Sequence, residues 1–449
     1  MSTTNPINEP LVSGESSRVS LDDALALAQQ MHRNQQFEGA QTLYERILGV
    51  APDYADAWHF LGLVRYQQHQ VESGIEAVRH ALALAPDYPD AHANLANMLL
   101  ERGDVSGAEW HLVRALELGP DAIPPCLALA ALRRAQGKLQ ESAALIMPLL
   151  ERAPGNALVQ YAMGHVQAAL GNLEAAVQHY NEALILDPAL GVSRERLGIA
   201  LFRMGKIEEA RFHFRQWIEL EPDDPTPKHL LAACGGAEAP VRAPDDYIRY
   251  TFDQFASSFD ARLAELAYRA PQLIENVFSQ MFGAATASRA VLDAGCGTGL
   301  LAERIRTFAS HLTGVDLSGG MLARAGARQL YDEMVESELG DYLRGNPLRF
   351  DVIASSDTLC YFGALEEIML LAYGALRTDG WLFFTVEDGG DLPNGHVLQY
   401  HGRYAHRHGY IEKALWDAGF GKVRIASDIL RTERSKPVPG LVVAAKKSS

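Results

Sequence analysis

The residues best suited to chemistry stand in one phrase, Asp293-Ala294-Gly295-Cys296-Gly297-Thr298-Gly299. It runs straight out of the short apolar stretch Arg289–Leu292, which reads as a buried strand, and into the helical stretch Leu301–Phe308. A strand, a glycine turn and a helix in that order let a nucleotide-type cofactor approach the backbone. A dinucleotide requires G-x-G-x-x-G, and the position of the third glycine is taken by Leu300. A second strand, His311–Asp316, ends in an acid about 20 residues after the first glycine, where a carboxylate can accept hydrogen bonds from ribose hydroxyls. Asp316 also stands where it can cap a helix over 318–327. The glycine phrase before it favours the ribose role.

The phrase Asp-Ala-Gly-Cys-Gly-Thr-Gly, with Asp316, Leu317, Ser318 and Met321 following the second strand, resembles the Rossmann-like S-adenosylmethionine-dependent methyltransferases. The resemblance implies S-adenosyl-L-methionine as cofactor. Asp293, Gly295, Cys296, Gly297 and Gly299 would form its cradle, with Asp316 on the ribose and Leu317 and Met321 beside the adenine. The segment 331–343 is similar to the family's third strand and loop, so Glu338, with Asp341 as runner-up, is expected at the adenine amino group beside Leu339. Phe350–Gly363 reads as the fourth strand and its loop, which brings Ser356 and Asp357 to a strand end, where doubly wound sheets carry their sites. Asn-Pro-Pro-Tyr and Asp-Pro-Pro-Tyr, which orient a planar nitrogen in amino-methylating enzymes, are absent from that loop. Together with Tyr250–Asp260, Leu266–Pro271 and the phrase Gly402-Arg403-Tyr404-Ala405-His406, the chain resembles bacterial methyltransferases that carry tetratricopeptide repeats. Many of those relatives have a tyrosine where this chain has Phe255, so Tyr247, Tyr268 or Arg269 is expected to meet the methionine end of the cofactor.

Methyl transfer needs alignment and a deprotonated acceptor, and a general base helps where the acceptor atom carries a proton. His401, Tyr404 and His406 are the candidates in the segment after the fifth strand, with Asp357 and Glu387 as comparable acids. Each histidine has a plainer reading: His406 caps the following helix and His408 is solvated. No metal-ligand spacing is present.

These residues require a sheet to position them. Gly380–Glu387 supplies a fifth strand, Tyr410–Ala418 a helix closed by Gly419, and Val423–Arg431 with Leu441–Lys446 a final antiparallel pair joined by Pro437-Val438-Pro439-Gly440. The first half is organised differently. Prolines recur at Pro52, Pro86, Pro120, Pro154, Pro188 and Pro222, each 34 residues apart. Small residues keep the same step (Ala28, Gly62, Ala96, Ala130, Gly164, Gly198), as do turn glycines Gly103, Gly137, Gly171 and Gly205, with Gln35 and His69 in the first two repeats. The pattern resembles the tetratricopeptide repeat family. The fold expected is multidomain: an all-α tetratricopeptide repeat solenoid followed by an α/β Rossmann-like methyltransferase domain with a seven-stranded mixed sheet whose last pair is antiparallel. The expected boundaries are a disordered tail over 1–20, six repeats over 21–224, a capping segment and linker over 225–244, and the methyltransferase domain over 245–449.

Solenoids create long concave surfaces, so the repeats are expected to bind a protein or peptide, with self-association as the competitor. The formal charge of −16 argues against a nucleic-acid partner. No stretch approaches the roughly 20 apolar residues of a membrane span, and the polar start resembles neither a signal peptide nor an anchor. Cys126, Cys234, Cys296 and Cys360 form no CxxC pair, which fits a reducing, cytoplasmic setting. Monomer and homodimer both remain open. The leading expectation is a methyltransferase whose acceptor is a protein, peptide or carrier-held group recruited by the repeats. The alternatives are a small-molecule methyltransferase that uses the repeats for assembly, and a non-catalytic scaffold that binds S-adenosylmethionine.

Overall fold

The computed structural model describes residues 20–448 except 257, 284, 434 and 435, so the expected tail over 1–19 lies outside the described residues. Ser20 already caps the first helix, its hydroxyl accepting from the amide of Asp23 at 3.1 Å. Twelve helices, from Leu21–Arg33 to Ile207–Leu220, form six hairpins, followed by the short helix Thr226–Ala233. The small positions hold paired helices close: a Cβ on Gly198 would stand 2.5 Å from the Phe214 ring. The turn position keeps a positive φ throughout, and Gln35 (60°) and His69 (64°) adopt it without glycine.

The chain divides into two compact units, one ending at Pro125 and the other beginning at Cys126. The division falls inside the repeat array, so repeats four to six pack with the α/β half as one body. Contacts along the seam explain this. The imidazole of His229, in the helix after repeat six, lies 2.9 Å from the carbonyl of Gly402. The same ring stacks on Tyr247 with centroids 4.1 Å apart. Ala232 shares a buried apolar cluster with Leu398 and Tyr404. The segment expected as a loose linker is likewise tied down. Arg242 bridges to Phe362, Ala243 donates to the Tyr361 carbonyl at 2.7 Å, and the amides of Gly363 and Ala364 both donate to Val241 at 2.9 Å.

The α/β half carries a sheet of nine described strands: β1 (Arg289–Ala294), β2 (Ala309–Asp316), β3 (Glu333–Glu336), β4 (Phe350–Ser355), β5 (Leu376–Asp388), β6 (His396–Leu398), β7 (Tyr404–His406), β8 (Phe420–Glu433) and β9 (Lys436–Lys447). The parallel order β3-β2-β1-β4-β5 reverses between β1 and β4, and β9 pairs antiparallel with both β5 and β8. The antiparallel final pair is as expected. The strand count exceeds the expected seven because the β6–β7 hairpin docks on the free end of β5, pairing Glu387 with Ala405 and Asp388 with His406 beyond the reach of β4. Pro437, Val438 and Pro439 do not form the connecting turn. They lie within β9, paired to β8 opposite Thr432, Arg431 and Ile429. Their other edge lies past the end of β5, whose last partner is Gly440, so no ladder bond is lost where proline has no N–H. Apolar side chains pack both faces, Leu292, Phe350 and Phe384 on one side and Val291, Phe308 and Phe383 on the other.

Candidate active site

The reversal between β1 and β4 leaves a crevice at their C-terminal ends, where open α/β sheets bind ligands. A cavity of about 710 Å³ opens there, within the range of roughly 300–1,000 Å³ of small-molecule sites. Gly295, Gly297 and Gly299 all have positive φ (74°, 53° and 89°), and the first two lie on its floor, while Gly299 packs toward Arg328 and Tyr331. Gly295 is packed from behind: a Cβ would fall 2.1 Å from Thr358 Oγ1. Gly297 faces open space, with Phe259 the nearest atom to such a Cβ at 3.9 Å. The backbone amides of the bend are taken up internally. Those of Gly295 and Cys296 donate to the Val315 carbonyl and that of Gly299 to Cys296. The bend is therefore a surface for close approach and not a phosphate cradle.

The amide of Gly297 donates to Asp316 Oδ2 at 2.8 Å, and the amide of Ser318 donates to Oδ1 at 2.9 Å. A carboxylate has about four acceptor positions, so the backbone amides leave acceptor capacity for a ligand. Burial pushes the Asp316 carboxyl upward, and the backbone amides of Ser318, Gly297 and Leu317 oppose it. Asp253 buttresses the same corner, accepting from Ser318 Oγ at 2.5 Å and from the amide of Gly320 at 3.1 Å. Asp293 is buried, accepts from the Tyr331 hydroxyl at 2.6 Å, and keeps its Oδ1 without a partner. Burial raises its pKa to about 7. Cys296, Leu317, Met321 and Leu339 line the cavity beside these groups. Glu338 lines it too, while its Oε2 caps the helix Leu339–Gly345 by accepting from Asp341 at 2.8 Å. Tyr247 and Ser356 face the cavity, the latter with its hydroxyl 2.8 Å from that of Tyr268.

Besides Gly299, three expected residues lie elsewhere. Arg269 is turned onto β8, 3.0 Å from Asp428, because its own backbone is pinned there by a bond to the Leu430 carbonyl. Tyr404 is buried under the connecting segment and donates to the Pro240 carbonyl at 2.6 Å. His406 is wholly buried, with Nε2 3.2 Å from the Gly363 carbonyl, and burial lowers its pKa to about 4. Neither Tyr404 nor His406 reaches the cavity wall.

His401 does reach it. Its Nε2 stands 3.5 Å from Glu387 and its Nδ1 has no partner. Burial, with Arg403 second, lowers its pKa to about 4, so the ring is neutral near pH 7. Behind it lies a charge cluster that sequence spacing does not reveal. Arg403 meets Glu387 at 2.6 Å and Glu433 at 2.5 Å; Arg431 meets Asp357 at 3.0 Å, Glu433 at 2.7 Å, and Glu387. Burial pushes Asp357 up against the pull of Arg431. For Glu387 burial acts the same way, but Arg403, His401 and Arg431 together outweigh it and hold the carboxyl down. No group of three or more metal-ligating side chains stands close enough to hold an ion among the described residues.

One more wall comes from the repeats: Glu195 and Arg196, from the first helix of repeat six, line the same cavity. The 34-residue step offers a signal for Arg196, because its equivalents in repeats four and five are Ala128 and Ala162.

Fold and crevice together define a doubly wound α/β domain with an open crevice at its topological switch point, packed against helical repeats. Residues 266–424 match a methyltransferase domain model. Residues 25–89, 61–123, 127–190 and 167–234 match tetratricopeptide repeat models. The chain is 34% identical over 131 residues to methyltransferase-like protein 27 of Homo sapiens, covering 28% of this chain and 54% of that one. It is 28% identical over 162 residues to the malonyl-[acyl-carrier protein] O-methyltransferase of Priestia megaterium, covering 35% and 56%. It thus spans about half the length of the curated relatives it matches. A solved S-adenosylmethionine-dependent methyltransferase from Thermotoga maritima aligns at 16% identity over 45% of this chain and 100% of its own, with a TM-score of 0.35. The chain therefore combines tetratricopeptide repeats with a methyltransferase domain.

Proposed function

We propose that the chain is an S-adenosylmethionine-dependent methyltransferase whose acceptor enters the end of the cavity walled by repeat six. The observation that carries this reading is Asp316, held by two amides at the end of β2 with acceptor positions left over beside the open face of Gly297. Asp316 would hold the ribose, Leu317 and Met321 the adenine, and the positive-φ bend the close approach of the nucleoside. When bound, the cofactor supplies a methyl group already activated as a sulfonium. The chain's own residues then align the acceptor and take its proton. His401 is the candidate for proton removal, since it is neutral on the cavity wall, with Nε2 3.5 Å from Glu387 and Nδ1 buried without a partner. A protein- or carrier-held acceptor is favoured because repeat six itself walls the cavity, and because a similar protein from Priestia megaterium is named for acting on a carrier-held group.

Calorimetry with S-adenosylhomocysteine tests the reading. We expect micromolar binding to the full chain and a loss of roughly 10- to 150-fold in Asp316→Ala, the size of one charge-assisted hydrogen bond or a little more. Absence of binding to the unmodified protein would overturn it.

A further inference from the structure

The repeat-side wall of the cavity holds an arginine in an unusual state. Arg196 Nε is buried with no hydrogen-bond partner. Its Nη2 lies 3.9 Å from Glu195 Oε1, beyond hydrogen-bond reach. Its side chain is 30% exposed and lines the cavity. The other cavity arginines are held more closely. Arg242 meets Asp245 at 2.5 Å, Arg262 lies over the Phe255 ring at 4.5 Å, and Arg403 and Arg431 belong to the charge cluster. Nearby Arg194 is engaged by Glu221 at 2.5 Å. The repeat fold does not require an arginine here, since the equivalent positions in the two preceding repeats are alanine. Arg134, on repeat four, adds like charge to the same neighbourhood, while the Glu195 carboxylate and a hydrogen bond with the Tyr161 side chain of repeat five favour the charged form of Arg196. A guanidinium fork presents paired N–H donors that match the two oxygens of a carboxylate or phosphate. The surrounding wall mixes apolar Val192, Trp217 and Phe255 with the carboxylates of Glu195, Glu221 and Asp224, of which Glu221 is already engaged by Arg194.

We propose that Arg196 is the recognition residue for an oxyanion group of the acceptor, a carboxylate or phosphate carried apart from the atom that receives the methyl group. The proposal rests on the methyl-transfer reading of the cavity. It makes repeat six part of the acceptor site itself and not only a recruiting surface. Arg196 binds and orients the acceptor; proton removal stays with His401.

The test is calorimetry on the full chain with benzoate, phenyl phosphate and neutral benzyl alcohol, each with and without saturating S-adenosylhomocysteine. Both oxyanions are expected to bind at least tenfold more tightly than the alcohol, and the tighter of the two identifies the group the site takes. Arg196→Met keeps the apolar stem and should remove roughly tenfold or more of oxyanion affinity while leaving the alcohol and S-adenosylhomocysteine unchanged. Arg196→Lys keeps the charge without the fork and should fall between. Oxyanions that bind no better than the alcohol, or equally well in a folded Arg196→Met, would overturn the proposal. If that variant does not fold, the comparison of probes on the unmodified protein and on Arg196→Lys still decides. Failure of S-adenosylhomocysteine to bind the unmodified chain sinks the methyl-transfer reading instead, and the titrations without it still report on Arg196.

Discussion

Two glycines in one bend should fail in different ways. At Gly295 the backbone has φ 74°, and an added Cβ would meet Thr358 at Oγ1 (2.1 Å), Cγ2 (2.3 Å) and Cβ (2.6 Å). A β-branched side chain with its own Cβ in the clash has no rotamer that clears it. Gly295→Ala therefore costs about 1–2 kcal/mol for the left-handed backbone and about 1–3 kcal/mol for overpacking. The sum, roughly 2–5 kcal/mol, corresponds to a fall in melting temperature of roughly 4–20 °C for a domain of this size. At Gly297 the φ is 53° and the nearest atom to an added Cβ is 3.9 Å away. Gly297→Ala carries only the backbone term, about 1–2 kcal/mol. Its methyl group points into the cavity, where it should weaken S-adenosylhomocysteine by about 1–3 kcal/mol, or roughly 5- to 150-fold. Differential scanning fluorimetry and calorimetry on both variants separate the effects. The reasoning fails if Gly297→Ala binds like the unmodified protein, or if it unfolds as early as Gly295→Ala.

Three further outcomes follow from the buried charges. His401→Gln should lower the methyl-transfer rate by roughly 10²–10⁴ with S-adenosylhomocysteine affinity unchanged. Because burial and Arg403 hold His401 to about 4, the rate of the unmodified enzyme should be flat over roughly pH 6–8, and a rise centred near pH 6.5 would exclude His401 as the base. Arg431→Met leaves Asp357 and Glu387 buried without their shared partner and should cost roughly 3–5 kcal/mol, read by denaturant titration. Acid should destabilise the α/β half between about pH 6.5 and 4. His401 and His406 are both lowered to about 4, so the unfolded chain binds their protons first and stability drains as pH falls through that window. Asp293, raised to about 7, acts in the opposite sense, losing stability as pH rises from about 4 through 7. Melting curves against pH should therefore steepen in Asp293→Asn and flatten in His406→Gln.

What was legible in the sequence was local. The repeats announce themselves because each hairpin needs the same close approach and the same turn, so constraint recurs every 34 residues. The turn itself tolerates more than glycine, as Gln35 and His69 show. The glycine bend and Asp316 were legible because one strand, one turn and the next strand end lie within a short span. The choice among His401, Tyr404 and His406 was not, because it depends on which way a six-residue stretch of hairpin faces. β7 pairs with the end of β5, which turns Tyr404 and His406 into buried contacts and leaves His401 on the cavity. Arg269 misled for a similar reason, since its partner Asp428 lies 159 residues away. The cluster of Arg403, Arg431, Glu387 and Glu433 joins three strand regions, and charged residues scattered over such distances look like ordinary solvated surface until the sheet closes.

The seam between repeats and sheet bears on how the acceptor half of the cavity is built. Gly402 has φ 84°, and a Cβ there would stand 2.5 Å from the Tyr247 hydroxyl. The same residue offers its carbonyl to His229 of the post-repeat helix, while Tyr247 stacks on the His229 ring. His401 is its immediate neighbour. The loop carrying the candidate base is thus fixed on one side by the helix that follows repeat six and on the other by Glu387 and Arg403 of the charge cluster. A methyltransferase domain cut away from repeats four to six and the helix after them would lose the wall holding Arg196 and one of the two supports of His401. The effect of repeat deletion on turnover therefore does not distinguish a recruited protein acceptor from a small one. Point changes that keep the seam intact, such as Arg196→Met, report on the acceptor wall without removing the supports of His401.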